Sequence, residues 1–436
     1  MGSGTARGPP RRPDAVSAPT GTLRSMPSLK VGQRLEAGET LTGAFCPVGA
    51  SFETPGILSW NSDGGAVLRL ADLSDPWPRD FETRLTVHGV LHAGERVTLM
   101  HARVGEITAL DKTSLLLSPL LALGAHTNLD DTWTWANYCP TGLHEWYPVK
   151  GFVHEHSEED PPQPRVQMRP VDPLRIELPG AELLLQLNGV WTASHSPRFS
   201  FETTLKFSVR PEFPLTIDEH WSRYGNPLLG FVIFASDRPD DLSEETFYDP
   251  EGQRQIVVLR SDRRSYKREW RPLAGHFLFR SEDVPDEGEV IRRWVEVWRR
   301  SEPSLGLFCE TIQQDTVYSP PRFLTLWTAA EGFWNATKRP DESRWNIPAL
   351  VKRAGVDPAV SHVDRRARQL MGSLRSYHAH LTLPKSITTE DIALSTFDST
   401  RRLHLLMQAC LLRELGLPTP EIEALLQARY RSWPVP

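Results

Sequence analysis

The chain has 436 residues, 39% of them apolar, with 37 Pro, 29 Gly, 14 Trp and a formal net charge of −6 at pH 7. That length suits two or three domains, and that apolar content supports a packed core, which excludes a wholly disordered chain. No run approaches the roughly 20 apolar residues of a membrane span, so no membrane partner is expected. The N-terminus has no apolar leader core, and four dispersed cysteines (Cys46, Cys139, Cys309, Cys410) have no zinc spacing and read as reduced thiols of a cytoplasmic protein.

Residues 1–28 are rich in Gly, Pro, Ser and Arg and are expected to be a disordered tail. From 29 to 285 the pattern is β. Leu41–Phe45, Gly56–Trp60 and Ala66–Leu70 are short apolar or alternating runs, and Asn61-Ser-Asp-Gly-Gly65 is a hairpin signal between the last two. Arg84–Val90 and Arg96–Met100 continue the pattern. The apolar run Leu115–Ala125 is interrupted at Ser118 and Pro119. Residues 157–173, acidic and Pro-rich, read as a loop or junction between two lobes. Strands are then expected at Leu174–Leu178, Leu183–Leu187, Phe199–Val209, Leu229–Phe234 and Gln255–Leu259. The expectation is a β-sandwich-like region, either in two lobes or as one double sandwich.

From about 286 to 436 the period becomes helical. Val290, Ile291, Trp294, Val295 and Trp298 recur at helical spacing. Ser319-Pro-Pro opens a second helix through Leu326, Ala330 and Phe333, with a Ser cap and Pro in the first turn. Asp357–Leu381 reads as one long helix, Thr388–Leu415 as a leucine-rich one ending at Gly416, and Pro420–Arg431 as a short last one. The fold class is therefore α+β multidomain: a β-sandwich-like N-terminal region, then a C-terminal α-helical bundle. Residues 320–436 hold 16 Lys and Arg against 11 Asp and Glu, a surplus of five positive charges, which leaves −11 for the rest. A basic C-terminal part on an acidic partner suits contact with RNA.

Within that bundle, Arg375-Ser-Tyr-His-Ala-His380 pairs a phosphate-binding side chain with a proton-transferring one. RNA carries its own nucleophile, the ribose 2′-OH, so an enzyme need supply only proton transfer and charge stabilisation. On a helix the two side chains stand about 140° apart. They meet on one phosphate only if the helix frays near His380 or a second copy completes the site. Three alternatives stay open on spacing alone: a catalytic pair, a solvated helix face, and His378 as a rival base three positions from Arg375. Glu331, in an apolar helix, is either a partner holding Arg375 or another basic residue, or a solvated residue. Arg365, Arg366 and Arg368 either line an RNA groove or are a solvated face. His154-Glu-His156 lacks a third ligand at metal spacing, and no metal or cofactor is expected. Trp133, Trp135, Tyr138, Trp146 and Tyr147 form either a base- or sugar-stacking cluster or β-core packing. Phosphate-loop, nucleophile-elbow and dinucleotide glycine motifs are absent.

The C-terminal third resembles a HEPN domain of the ApeA-like group: the Arg-polar-x3-His motif, the Phe323–Glu331 helix and the leucine-rich ending fit that family. Ser376 stands where Asn is common. Residues 30–285 resemble the ApeA-type N-terminal domain on strand density and turn pattern. The resemblance implies a metal-independent endoribonuclease in bacterial antiphage defence by abortive infection. It would work as a homodimer through its C-terminal helices. Arg375 would hold the scissile phosphate, His380 would act as general base or acid, and Ser376 would orient either. RNA is the implied partner, and a phage-derived trigger would act on the N-terminal region. The alternative is a non-catalytic HEPN-like dimerisation module carrying a ligand-binding β domain.

Overall fold

The computed structural model describes residues 40–432 except 51–52, 62–64, 72–76, 78–80, 109–112, 150, 157–163, 169–170, 194–198, 261–276, 315–319 and 381–391. The expected tail at 1–28, the Ser319 cap and the helix end at Leu381–Pro384 lie outside the described residues.

Six strands close into an antiparallel barrel: β1 (Thr40–Pro47), β2 (Thr54–Asn61), β3 (Gly65–Leu70), β4 (Leu85–Leu91), β5 (Arg96–Thr108) and β6 (Thr113–Ser118). Closure follows because β4 pairs with both β1 and β5, and β6 with both β3 and β5. The Asn61 signal delivers the β2–β3 hairpin, with Asn61 opposite Gly65. Phe45, Leu58, Leu68, Val87, Leu99 and Leu116 fill the interior with no solvent exposure. A closed barrel has no open edges among these strands, which removes a hazard that a half-sandwich would carry.

The barrel gives way to an open sheet at Ser118-Pro119. β7 (Leu120–Leu123) continues along β5 on the side that β6 occupies, pairing with Val97–Met100. Pro119 has no N–H for the ladder, and Ser118 Oγ lies 2.6 Å from Met100 O and 2.8 Å from Leu120 O, pinning the corner. Beyond it come β8 (Trp135–Pro140), α1 (Leu143–Trp146), β9 (Phe152–His156), β10 (Pro164–Met168), β11 (Leu174–Leu178), β12 (Ala181–Ala193) and β13 (Phe199–Pro211). α2 (Ile217–His220), a π-helical turn at Trp221–Gly225 and α3 (Asn226–Ser236) follow, then β14 (Leu242–Tyr248) and β15 (Gln255–Arg260). The strand order from the corner outward is β7-β15-β14-β8-β13-β12-β11. The expected sandwich is thus a closed barrel run on into an open sheet, and the change of lobe falls at Pro119 rather than at 157–173. Part of 157–173 is strand: β10 pairs with β9 as a separate hairpin.

Leu229–Phe234, expected as a strand, lies in helix α3. Every residue from Pro227 to Ser236 is buried, so the run shows neither a period of 2 nor of 3.6. The helix signal sits upstream. Thr216 and Glu219 form a capping box that opens α2, and Pro227 occupies the first turn of α3.

The C-terminal bundle holds α4 (Glu287–Gln313), α5 (Pro320–Thr337), α6 (Ile347–Ala354), α7 (Pro358–Ser361), α8 (Arg365–His380), α9 (Ile392–Glu414) and α10 (Thr419–Ser432). The β-rich part followed by a helical part is the expected fold class. The long helix expected at Asp357–Leu381 is instead broken. Asp357 caps α7, His362 turns left-handed at φ 52°, and Asp364 Oδ1 accepts from Ala367 N at 2.7 Å to start α8. α4 kinks at Ser301 (φ −136°, ψ 28°), because Pro303 removes an N–H and crowds the carbonyl four residues back.

One core runs through sheet and bundle, from Met100 to Leu426. Phe234 stacks on Trp294 at 5.0 Å, and Trp294 Nε1 donates to Pro227 O at 2.7 Å. A Cβ on Gly230 would run into the Trp298 ring, so glycine is required there. Of the aromatic cluster, Trp133, Tyr138 and Trp146 have no exposure and are core. All four cysteines are free thiols, and burial pushes Cys139 and Cys410 up to about 12.

His220 lies in this core and its Nε2 meets Trp133 O at 2.9 Å. Burial lowers its pKa to about 4, against the attraction of Glu245 and Glu219. The folded chain therefore refuses a proton that the unfolded chain accepts near pH 6.5. His220 stabilises fully above that pH, and the contribution is lost as pH falls toward 4. The expected loss is on the order of 3 kcal/mol. Urea denaturation at pH 7 and pH 4 measures it, and His220→Gln should show a correspondingly smaller drop.

Candidate functional site

Helix α8 carries the motif. Ala367, Met371 and Leu374 are buried at positions i, i+4 and i+7, an apolar stripe that seats the helix against α5 and α9. His378 is the next position of that stripe. Its Nε2 lies 2.9 Å from Thr396 Oγ1 on α9, and its ring meets Phe323 on α5 edge-on at 6.0 Å. Thr396 Oγ1 donates to Ile392 O at 2.7 Å. With its hydrogen so used, the hydroxyl accepts from the His378 N–H, which fixes the tautomer. Partial burial lowers the pKa of His378 below its ordinary value, favouring the neutral ring.

Arg375, Ser376 and His380 are exposed, Ser376 and His380 opposite the buried stripe and Arg375 on its flank. Gly372, Ser376 and Ala379 form a small-residue surface between them, with Arg375 on one edge and His380 on the other. A Cβ on Gly372 would meet only open space. The helix runs unbroken through His380, so Arg375 and His380 stay about 140° apart on their cylinder. Fraying is thus not what brings them together in this structure. Arg368 lies seven residues before Arg375, on nearly the same stripe and about 10 Å along the axis. Arg365 and Arg366 are exposed, and Arg368 is half-buried with its Nε donating to Asp364 O at 3.2 Å. Glu331 is half-buried on α5. Among the described residues, no hydrogen bond or ion pair joins it to Arg375.

The arrangement presents a guanidinium, a hydroxyl and an imidazole to solvent on one rigid helix, with a second imidazole turned inward to hold that helix. Thr396 is the residue that no motif marked. Its signal was present as two threonines, 396 and 400, four apart on one face of α9. No group of three or more His, Cys, Asp or Glu side chains is placed to hold a metal ion among the described residues. His154 and His156 fall on β9.

His378 and His380 should therefore separate by stability. His378→Ala removes a ring contact and a hydrogen bond and is expected to cost about 1–2 kcal/mol. His380→Ala, on the solvent face, should stay within about 0.5 kcal/mol. Urea denaturation of the two variants beside wild type checks this.

Among the described residues, no helix is long and apolar enough to cross a membrane. No curated protein and no solved structure matches the chain. A family model, ApeA N-terminal domain 1, matches residues 41–294. The match takes in the barrel, the open sheet, α3 and the first two turns of α4. It covers more than half of the chain, and the family is associated with antiphage defence. The chain belongs to the ApeA N-terminal domain 1 family.

Proposed function

We propose that the chain is a metal-independent endoribonuclease of HEPN type, active in antiphage defence, in which an ApeA N-terminal region controls the helical bundle. The observation that carries this reading is the display of Arg375, Ser376 and His380 on the solvent face of α8, while His378 is spent on packing. That division supports assigning proton transfer to His380 rather than to His378.

The chemistry follows from those side chains. His380 takes the proton of a ribose 2′-OH, whose oxygen attacks the adjacent phosphorus. Arg375 lies against the phosphate and offsets the charge that grows on its oxygens. Ser376 donates a hydrogen bond to the same phosphate. The 5′-oxygen leaves with a proton, and a 2′,3′-cyclic phosphate remains. Each α8 holds its arginine and histidine on opposite edges of a small-residue face. Two copies meeting on that face place the arginine edge of one beside the histidine edge of the other when the helices run in the same sense. Arg368, on the Arg375 stripe, extends the positive surface along the RNA backbone.

The rival reading, a non-catalytic dimerisation module with a ligand-binding β region, is favoured by Ser376 standing where the HEPN family commonly has Asn. It requires His380→Ala to keep full cellular function.

RNA cleavage in excess chelator decides. Wild type should cut and leave 2′,3′-cyclic phosphate ends. Arg375→Ala and His380→Ala should each lose about 100-fold or more, and His378→Ala should keep most activity in proportion to its folded fraction. Cleavage surviving both of the first two changes would remove the site.

A further inference from the structure

A surface cavity of about 460 Å³ lies at the far side of the open sheet, where the β11–β12 turn, the chain after β13, the π-helical turn and α4 meet. Its size is that of a small-molecule site. Three features set it apart. Phe213 at its mouth is 75% exposed, more than the other exposed large apolar residues described. Arg223 comes from the π-helical turn, a rare conformation that recurs at functional sites. Arg299 comes from α4, two residues before the kink at Ser301.

The wall has little backbone left to offer. Pro179 and Pro211 have no N–H. Pro179 O accepts from Arg299 Nη1 at 2.9 Å. Gly180 O accepts from Tyr224 Oη at 3.1 Å and from Glu212 N at 3.0 Å. Leu215 N donates to Trp133 O at 3.0 Å. An extended peptide, which is read through main-chain hydrogen bonds, finds no ladder here. Recognition falls to side chains: an open aromatic ring, two guanidinium groups and the Glu212 carboxylate. Arg223 is engaged by an exposed contact to Glu219 at 3.4 Å, which an anion can displace at little cost. A bare anion has no use for Phe213, and an aliphatic ligand has none for two arginines.

We propose that this cavity binds a mononucleotide. The base stacks on Phe213, the phosphate lies between Arg223 and Arg299, and Glu212 accepts from the ribose hydroxyls. Because Arg299 belongs to α4, occupancy bears on the helix that continues past its kink into the bundle. The proposal stands apart from the nuclease reading, since none of its residues lies on α8.

Isothermal titration of the full chain with AMP tests it, with adenosine and inorganic phosphate as separate arms. AMP should bind, and more tightly than either part. Phe213→Ala and Arg223→Ala, both surface changes whose thermal melts should match wild type, should each weaken AMP by about tenfold. Arg375→Ala and His380→Ala should bind AMP as wild type does, which separates this site from an RNA-cutting one. Absence of AMP binding to wild type, equal binding by the Phe213 and Arg223 variants, or an acidic peptide binding where AMP does not, would each overturn the proposal.

Discussion

Helix α3 is buried along its whole length, and the rest of the molecule is arranged around it. One side lies against α1 and β8 of the open sheet, with Phe231 edge-on to Trp146 of α1 at 4.9 Å. The other receives α4, through Phe234 against Trp294 and through the Gly230 notch under Trp298. Such a helix cannot be stable alone, because it has no polar face to give to water. It forces sheet and bundle to fold as one body. The family match ends within α4, and that helix is clamped to α3 while its second half enters the bundle.

A second tie reaches deeper. His404 of α9 meets Asp237 Oδ1 at 2.8 Å, and both side chains are 3% exposed. Asp237 is the left-handed residue that ends α3, and Phe308 of α4 stacks on His404 at 5.2 Å. α9 thus touches the end of α3 at one point and holds α8 at another, where Thr396 meets His378. The solvent face of α8 is therefore presented by a helix anchored to the β-rich part. The proposed control of the bundle by the N-terminal region would act through this tie.

Much of this was legible in the residues, and the failures have physical causes. The β2–β3 hairpin was announced by Asn61–Gly65, whose turn chemistry is local. α3 was misread because burial on every side erases periodicity, although the Thr216–Glu219 capping box marked the helical stretch. β10 was hidden by the prolines and acidic residues around it. The break at His362 was missed because a histidine, not a glycine, takes the left-handed conformation, yet Asp357 and Asp364 both stood as caps. At the candidate site the residue types were legible and the orientation was only half so. Ala367, Met371, Leu374 and His378 share one stripe, a signal for an inward His378 that the motif reading left unused. What lay beyond the sequence was Thr396 as its partner and an α8 that stays helical through His380.

In the proposed nuclease the working site is composite, with Arg375 from one copy and His380 from another. The direct measurement is RNA cleavage by co-expressed Arg375→Ala and His380→Ala chains, each inactive alone. A composite site predicts that the mixed dimer recovers cleavage, because one of its two sites receives an intact arginine from one chain and an intact histidine from the other. A mixed dimer as inactive as either variant would contradict it.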